Sequence, residues 1–444
     1  MNQQTPLNAL RCGALVGTRR LDLNGAGLTE LPPEVYGLAD TLEVLNLSDN
    51  ALTTLPHDLP RMHRLKVIFC SGNPFTVLPE VLGACPALEM VGFKACRLQH
   101  VPAASLPHTL RWLTLTDNAI SALPPELGQR PALQKLMLAG NRLAALPPSL
   151  AGAPRLELLR LSANRLATLP GWLPELPRLA WLALSGNPLG WGGRPAQAPA
   201  SGLPAVPWQR LRLDGLLGEG ASGHIHRAVC EGVHGDQTLA LKLFKGAVTS
   251  DGLPEHELAA SVAAGPHPHL CTPVATLADH PQGQTGMLLP LVPGGFESLA
   301  GPPSLESCTR DVYAPSLCLS PGVALRLLRS VASAVAHLHT RGVLHGDLYA
   351  HNTLWHPATG EAWLSDMGAA TVLPHAGEPL RRALQAQEAL ALGHLMTEVL
   401  ARVDGGAAAL PGVAAWATAC GAPHLADRPD VAAVAGGLEM LKFE

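Results

Sequence analysis

The stretch Leu42-Glu43-Val44-Leu45-Asn46-Leu47-Ser48-Asp49-Asn50-Ala51-Leu52 decides the fold of the first part of this chain. It returns as Leu133-Gln134-Lys135-Leu136-Met137-Leu138-Ala139-Gly140-Asn141-Arg142-Leu143. Both read L-x-x-L-x-L-x-x-N-x-L, and Leu-Pro follows after two more residues in each. Outward from these two copies, the Asn position recurs at Asn50, Asn73, Cys96, Asn118, Asn141, Asn164 and Asn187, in steps of 23, 23, 22, 23, 23 and 23 residues. A weaker unit ahead of them places Ala26 at that position, with Leu21, Leu23, Leu28 and Leu31 in register. A fixed period of this length marks a stacked repeat array. Alternation along a strand points Leu45 and Leu47 inward and Asn46 and Ser48 outward. A buried Asn can bond to the backbone of its own and adjacent turns, satisfying groups that an interior leaves unpaired. Proline in Leu55-Pro56, Leu78-Pro79, Leu123-Pro124, Leu146-Pro147 and Leu169-Pro170 discourages long helices, so the outer connections are expected to be short and extended.

These units resemble the leucine-rich-repeat family, whose pattern permits Cys96 at the Asn position. The resemblance implies an α/β solenoid over residues 1–190, about eight repeats long, with one short strand per unit on its concave side. The outward positions just before each central leucine pair are Arg20, Val44, Val67, Met90, Trp112, Lys135, Leu158 and Trp181. The apolar members, Val44, Val67, Met90, Trp112, Leu158 and Trp181, form one contiguous stripe. Such arrays bind partners along the concave face, and Trp is enriched at interface hot spots. A protein substrate or regulator is therefore expected there.

Composition narrows the remainder. A chain of 444 residues holds two or three domains, and 47% hydrophobic residues with 15% charged ones leave ample material for a core. Gly and Pro number 44 and 41, well above the average usage of about 12% together, which suits many regular turns. A net charge of -4 gives no electrostatic reason to expect nucleic acid or an anionic membrane. No apolar run reaches the roughly 18 residues of a spanning helix, and Met1 to Leu10 lacks the basic start of a secretory signal. Nine cysteines in unpaired spacing, with no C-x-x-C, read as reduced thiols of a cytoplasmic protein without a cysteine zinc site.

Trp191 to Pro207 is rich in Gly, Pro, Ala and Ser and carries no repeat register, so residues 191–209 are expected to link the array to a second domain over 210–444. That domain opens on a G-x-G-x-x-G at Gly218, Gly220 and Gly223, which alone is only a tight-turn signal. Leu239-Ala240-Leu241-Lys242-Leu243-Phe244 reads as a strand with one Lys inside, and a Lys there needs an anionic partner. Glu257, in the short helical stretch from Pro254, is the candidate. Further on come Val343-Leu344-His345-Gly346-Asp347-Leu348-Tyr349-Ala350-His351-Asn352 and Trp363-Leu364-Ser365-Asp366-Met367-Gly368.

In order and spacing these segments resemble the protein-kinase motif set. The likeness covers residues 210 to 440, with Asp427-Arg428-Pro429 resembling the family's late Arg-Pro, and it implies an α+β two-lobed domain. The whole chain thus resembles a leucine-rich-repeat protein kinase of bacterial type. Carried over residue by residue, the resemblance makes Gly218, Gly220 and Gly223 a cover for the ATP phosphates. Lys242 becomes the contact to the α- and β-phosphates, held by Glu257. Asp347 becomes the group that orients the acceptor hydroxyl and takes its proton, and Asn352 and Asp366 the holders of Mg2+. In Leu288 to Gly295, Leu289 falls at the gatekeeper, while the Pro290 carbonyl and Val292 amide fall where adenine pairs.

Three departures qualify the likeness. Gly346 replaces the Arg of H-R-D, which in the family pairs with a phosphate on the activation loop. Only 22 positions separate Asp366 from Glu388, the counterpart of the Asp in the following helix, and Gly377-Glu378-Pro379 is at best a remnant of A-P-E. Tyr349 and His351 stand where Ser/Thr kinases carry Lys and tyrosine kinases carry Arg. The expected function is ATP- and Mg2+-dependent phosphorylation of a Ser or Thr hydroxyl on a protein that the repeats recruit. The alternatives are a pseudokinase scaffold acting through its repeats and, because H-G-D and the trimmed segment resemble aminoglycoside and choline phosphotransferases, a small-molecule phosphotransferase. The pairs His337/His339 and His267/His269 are expected to be structural rather than metal ligands.

Overall fold

The computed structural model of the chain describes residues 5–189, 202–220, 222–231, 236–245, 248–249, 251–373 and 378–442. Most of the expected linker, Trp191 to Ser201, and Gly377 of the A-P-E remnant lie outside these. The chain divides into two compact units, Met1–Arg178 and Leu179–Glu444.

The first unit opens with a short helix α1 (Pro6–Arg11) and then repeats one design. Its strands are β1 (Arg20–Asp22), β2 (Val44–Asn46), β3 (Val67–Phe69), β4 (Met90–Gly92), β5 (Trp112–Thr114), β6 (Lys135–Met137) and β7 (Leu158–Arg160). Each pairs in parallel with the next, in chain order and with matching register. The inward leucines are fully buried, Leu45, Leu47, Leu136 and Leu138 among them.

The Asn positions do what a dry interior demands. Asn141 Nδ2 donates to the carbonyls of Leu138, in its own repeat, and Leu115, in the one before, at 3.0 and 2.9 Å. Its Oδ1 accepts from the Ile120 amide at 3.1 Å. Asn73 and Asn164 repeat the pattern. At Cys96 the thiol donates to the Cys70 carbonyl at 3.2 Å, and the Phe75 amide, which an Asn Oδ1 would otherwise accept, turns to the Asn73 carbonyl at 2.9 Å. Phe75 and Phe93 fill the space edge to face, with centroids 5.0 Å apart.

The outer connections are short as expected, but several turn into single 3-10 turns instead of staying extended, as at Pro125–Gln129 and Pro148–Gly152. In Leu78-Pro79, Leu123-Pro124 and Leu146-Pro147 the proline supplies the extended residue ahead of the turn (Pro147 at φ −62°, ψ 130°). Its fixed φ and missing N–H suit that entry position.

The second unit begins with the strand of the eighth repeat, β8 (Trp181–Ala183). Five strands then build an antiparallel set: β10 (Leu211–Glu219), β11 (Gly223–Cys230), β12 (Gln237–Phe244), β13 (Ala275–Ala278) and β14 (Gly286–Pro290). Their order is β10-β11-β12-β14-β13, and β9 (Ala205–Pro207) adds to the β13 edge in parallel. Leu241, Leu288, Ala228 and Ala275 form the core of this sheet, closed by Trp208 and Leu277. Helix α2 (Pro254–Ala264) interrupts the sheet between β12 and β13.

The rest of the unit is mainly helical. Helix α3 (Pro321–Thr340) starts on Ser320, whose hydroxyl accepts from the Val323 amide at 3.4 Å, with Pro321 in the first turn. Its apolar stripe of Leu325, Leu328, Val331, Val335 and Leu338 is buried. Helices α4 (Glu378–Leu400), α5 (Pro411–Cys420) and α6 (Val431–Met440) complete the lobe. Two small sheets lie between: β15 (Glu297–Ser298) with β17 (Thr353–Trp355) and β18 (Ala362–Leu364), and β16 (Val343–Leu344) with β19 (Thr371–Val372).

Candidate active site

The site grows from the buried Lys. Position 242 alternates to the face of β12 opposite the core residues Leu241 and Leu243, and there Lys242 is 6% exposed and Glu257 of α2 is 2% exposed. The two form a direct ion pair, and Asp366 Oδ1 stands 3.9 Å from the same ammonium. Burial alone pulls a lysine pKa down. Here the carboxylates of Asp366, Glu257 and Asp251 outweigh it and hold Lys242 above its ordinary value, so the ammonium stays charged.

Around this pair lies a cavity of 580 Å³, lined by Gly218, Gly220, Gly223, Leu289, Pro290, Val292, Asn352 and Asp366 as well as the pair itself. The structure thus brings together every residue expected at the nucleotide and metal sites. A Cβ on Gly218 or Gly220 meets nothing within 4 Å, so both present bare backbone to open space. Gly223 differs, because a Cβ there would stand 2.3 Å from the Leu243 carbonyl oxygen. Its glycine is required by strand packing. Lys245, which sequence reading passed over, braces the glycine-rich turn by pairing with Glu219 at 2.5 Å and donating to the Gly220 carbonyl at 3.2 Å. Only the β11–β12 pairing, which sets Lys245 beyond the end of the turn, makes that brace visible.

The loop between β16 and β17 carries the second set. Asn352 Nδ2 donates to the Asp347 carboxylate at 2.8 Å and to its carbonyl at 2.9 Å, tying Asp347 to the cavity wall. Asp366, just past β18, adopts a left-handed φ of 56° and accepts from the Gly368 amide at 3.0 Å. Its side chain is half exposed to the cavity. His345 is fully buried and bonds to the Ser365 carbonyl at 3.0 Å, joining the two loops.

Glu388 of α4 accepts from the Gly346 amide at 2.6 Å and pairs with His339 at 2.8 Å. Burial raises its carboxyl, but those two partners and the nearby His345 overcome this and leave the pKa below the ordinary value. His351 also lines the cavity, and its Nδ1 pairs with Asp311 at 2.7 Å. Burial lowers its pKa, while Asp311, Asp347 and Asp366 outweigh that and raise it. Asp311 gave no signal in sequence, because its segment matches no motif.

Gly346 has a physical reason for standing where the family carries Arg. Its φ is 72°, and a Cβ would approach the carbonyl oxygens of Ala369 and Leu182 to 2.6 and 2.8 Å. The expected partner-binding stripe needs correction. Trp181 is 2% exposed and packs within the second unit, donating from Nε1 to the Leu348 carbonyl at 2.9 Å. Val67, Met90 and Leu158 are 4%, 3% and 4% exposed. In-register side chains on parallel strands sit within van der Waals reach and cover one another. Val44 and Trp112 remain partly open, the latter beneath the Lys135 ammonium at 4.0 Å.

The histidine pairs have local partners. His337 Nε2 bonds to the Ala264 carbonyl at 2.8 Å, and His267 stacks on His337 and meets Ser333. Among the described residues no helix is long and apolar enough to cross a membrane.

Comparison with known proteins finds separate likenesses in the two halves. Leucine-rich-repeat models match residues 41–62, 108–166 and 131–189. The model of the lipopolysaccharide kinase (Kdo/WaaP) family matches residues 296–371, which hold Asp347, Asn352 and Asp366. A "Probable inactive serine/threonine-protein kinase roco10" of Dictyostelium discoideum is 30% identical over 27% of this chain and 5% of its own length. The human "Leucine-rich repeat and calponin homology domain-containing protein 1" is 29% identical over 26% of this chain and 16% of its own. The chain thus spans only a small part of these relatives. A solved leucine-rich-repeat protein of Leptospira interrogans, LIC12759, aligns with TM-score 0.38 and 30% identity over 41% of this chain and 46% of that one. Repeat register, family models and site geometry meet in one description: the chain joins a leucine-rich-repeat array to a kinase-like domain.

Proposed function

We propose that the protein is an ATP- and magnesium-dependent kinase that phosphorylates a Ser or Thr hydroxyl of a protein recruited through its repeats. The observation that carries this reading is convergence. Lys242, Glu257, Asn352 and Asp366 all line one cavity beneath bare glycine backbone, and Asn352 holds the Asp347 carboxylate beside it. The residues fit the groups they would hold. Asn352 and Asp366 offer hard oxygen donors of the kind magnesium takes together with phosphates. Lys242 offers a fixed positive charge, and Gly218 and Gly220 offer backbone with room for phosphate oxygens.

When bound, ATP supplies the phosphoryl group and magnesium neutralises charge on its oxygens. The chain positions the reactants and takes up a proton. Glu257 keeps Lys242 aimed into the cavity, Pro290 and Val292 on its wall would pair with the base through the carbonyl of the first and the amide of the second, and Asp347, steadied by Asn352, accepts the acceptor's hydroxyl proton. No cysteine forms a disulfide among the described residues, which supports a reducing, cytoplasmic setting.

A second reading, transfer to a sugar or other small hydroxyl compound, draws support from the lipopolysaccharide kinase match and from the 22 positions between Asp366 and Glu388. One experiment weighs both. Purified full-length protein is given labelled ATP and Mg2+ with a generic protein or with a panel of sugars. Asp347→Ala should keep ATP affinity while transfer falls by about 10²–10⁴-fold, and Lys242→Met should lose transfer as well. Label on sugars alone selects the second reading. ATP binding without any transfer by the wild type removes both and leaves a scaffold.

A further inference from the structure

The second unit does not begin with nucleotide-handling structure. It begins with β8, and β8 is packed against the loop that carries Asp347. The Trp181 indole lies parallel to the Tyr349 ring, with centroids 4.3 Å apart and an interplanar angle of 8°. Its Nε1–H donates to the Leu348 carbonyl at 2.9 Å. The Arg310 guanidinium sits 5.0 Å from the indole and the His394 ring 5.6 Å from it.

The next residues of the repeat continue the contact. The Leu182 carbonyl occupies the space into which a side chain at position 346 would grow. The Leu184 amide donates to Thr371 Oγ1 at 3.0 Å, on the strand that pairs with Val343–Leu344. Asp347 is therefore flanked on both chain sides by residues that the eighth repeat touches, Gly346 before it and Leu348 and Tyr349 after it. From α4, Glu388 holds the Gly346 amide.

We propose that Trp181 is a positioning residue for Asp347, and that the eighth repeat is a built-in brace of the catalytic loop. This rests on the kinase reading given above. The physical case is simple. A backbone hydrogen bond and a ring stack placed one and two residues after a reacting carboxylate restrict the φ and ψ angles that aim it. Misplacing such a group by about 1 Å costs on the order of 10²-fold in rate. Among the described residues neither Trp181 nor the Leu348 and Tyr349 it contacts lines the nucleotide cavity, so ground-state binding of ATP is set elsewhere.

The test uses the full-length chain with Trp181→Phe, which keeps the stack and loses the N–H, and Trp181→Ala, which loses both. Four quantities are read: kcat, KM for ATP, thermal unfolding, and amide hydrogen exchange across residues 345–352. Expected are a several-fold drop in kcat for Trp181→Phe and about 10²-fold for Trp181→Ala, with KM for ATP unchanged and faster exchange at Asp347 to Tyr349. Wild-type kcat and wild-type exchange in a folded Trp181→Ala overturn the proposal. So does a loss of kcat that only tracks lowered ATP affinity or a lowered unfolding temperature, since a merely structural residue behaves that way. If Trp181→Ala does not fold, Trp181→Phe decides by the same readings. If the wild type itself transfers nothing, the kinase reading fails. The exchange pattern then judges the brace alone: faster exchange at 347–349 upholds it, and no change removes it.

Discussion

Gly346 shows how one position can record what surrounds it. Its left-handed φ of 72° costs an L-residue about 1–2 kcal/mol, and the carbonyls of Ala369 and Leu182 leave no volume for a Cβ. Gly346→Ala is therefore expected to destabilise the second unit by about 1–3 kcal/mol, read from urea unfolding followed at a second-unit probe. Gly346→Arg, which restores the kinase-family residue, should be worse and should not raise activity. An unchanged midpoint in the Ala variant would show that the carbonyls move aside. The missing Arg is thus a matter of packing as well as of chemistry, and the sequence displayed only the chemistry. The glycine could be seen to depart from H-R-D. Its crowding by Leu182, more than 160 residues away in the chain, could not.

At the scale of elements, α4 steadies the loop that carries Asp347 through the buried carboxylate of Glu388. Glu388 has a pKa below its ordinary value of 4.5 because His339 and the Gly346 amide favour its charged form over the cost of burial. A carboxyl depressed in the folded state adds stability above its unfolded pKa and loses it as pH falls through the folded one. Stability of the second unit should accordingly decline as the medium is taken below about pH 4.5. Glu388→Gln should flatten that decline and lower stability at neutral pH by about 2 kcal/mol, since hydrogen bonds to a charged group are lost. Equal acid slopes in the two proteins would remove Glu388 from the account.

Glu388 was readable through the resemblance of its helix to the one after the activation segment, in spite of the shortened distance from Asp366, whereas the repeats were readable from a period of 23 residues. Only in the repeats does the physical demand recur at fixed chain distance. The Lys242–Glu257 pair was readable for another reason: a lone cation in an apolar strand demands a partner, and few acids are near. The His351–Asp311 and Lys245–Glu219 pairs were not, because tertiary placement brings those partners together. The 3-10 turns that follow Pro79, Pro124 and Pro147 show the same limit. Proline excluded a helix at its own position but left open what the following residues do.

For the whole molecule, recognition and chemistry can be separated by variants that touch one unit each. Trp112 is partly open on the first unit, with Lys135 over its ring. Trp112→Ala should weaken capture of a protein substrate by about tenfold, as for an interface aromatic, while leaving phosphorylation of a short peptide intact. Capture at wild-type strength would place recognition elsewhere on the repeats. Trp181 reads like Trp112 by repeat position, yet it serves the other unit, because register fixes the face of a strand and not what comes to lie against it. That division sets where the gene can be cut and rejoined. A crossover ahead of Leu179 exchanges seven repeats and leaves the kinase-like half whole. A crossover at the visible end of the repeats, after Asn187, would carry away the indole that seats beside Leu348. Chimeras that swap specificity should therefore keep the eighth repeat with the domain that follows it, however much its sequence resembles the seven before.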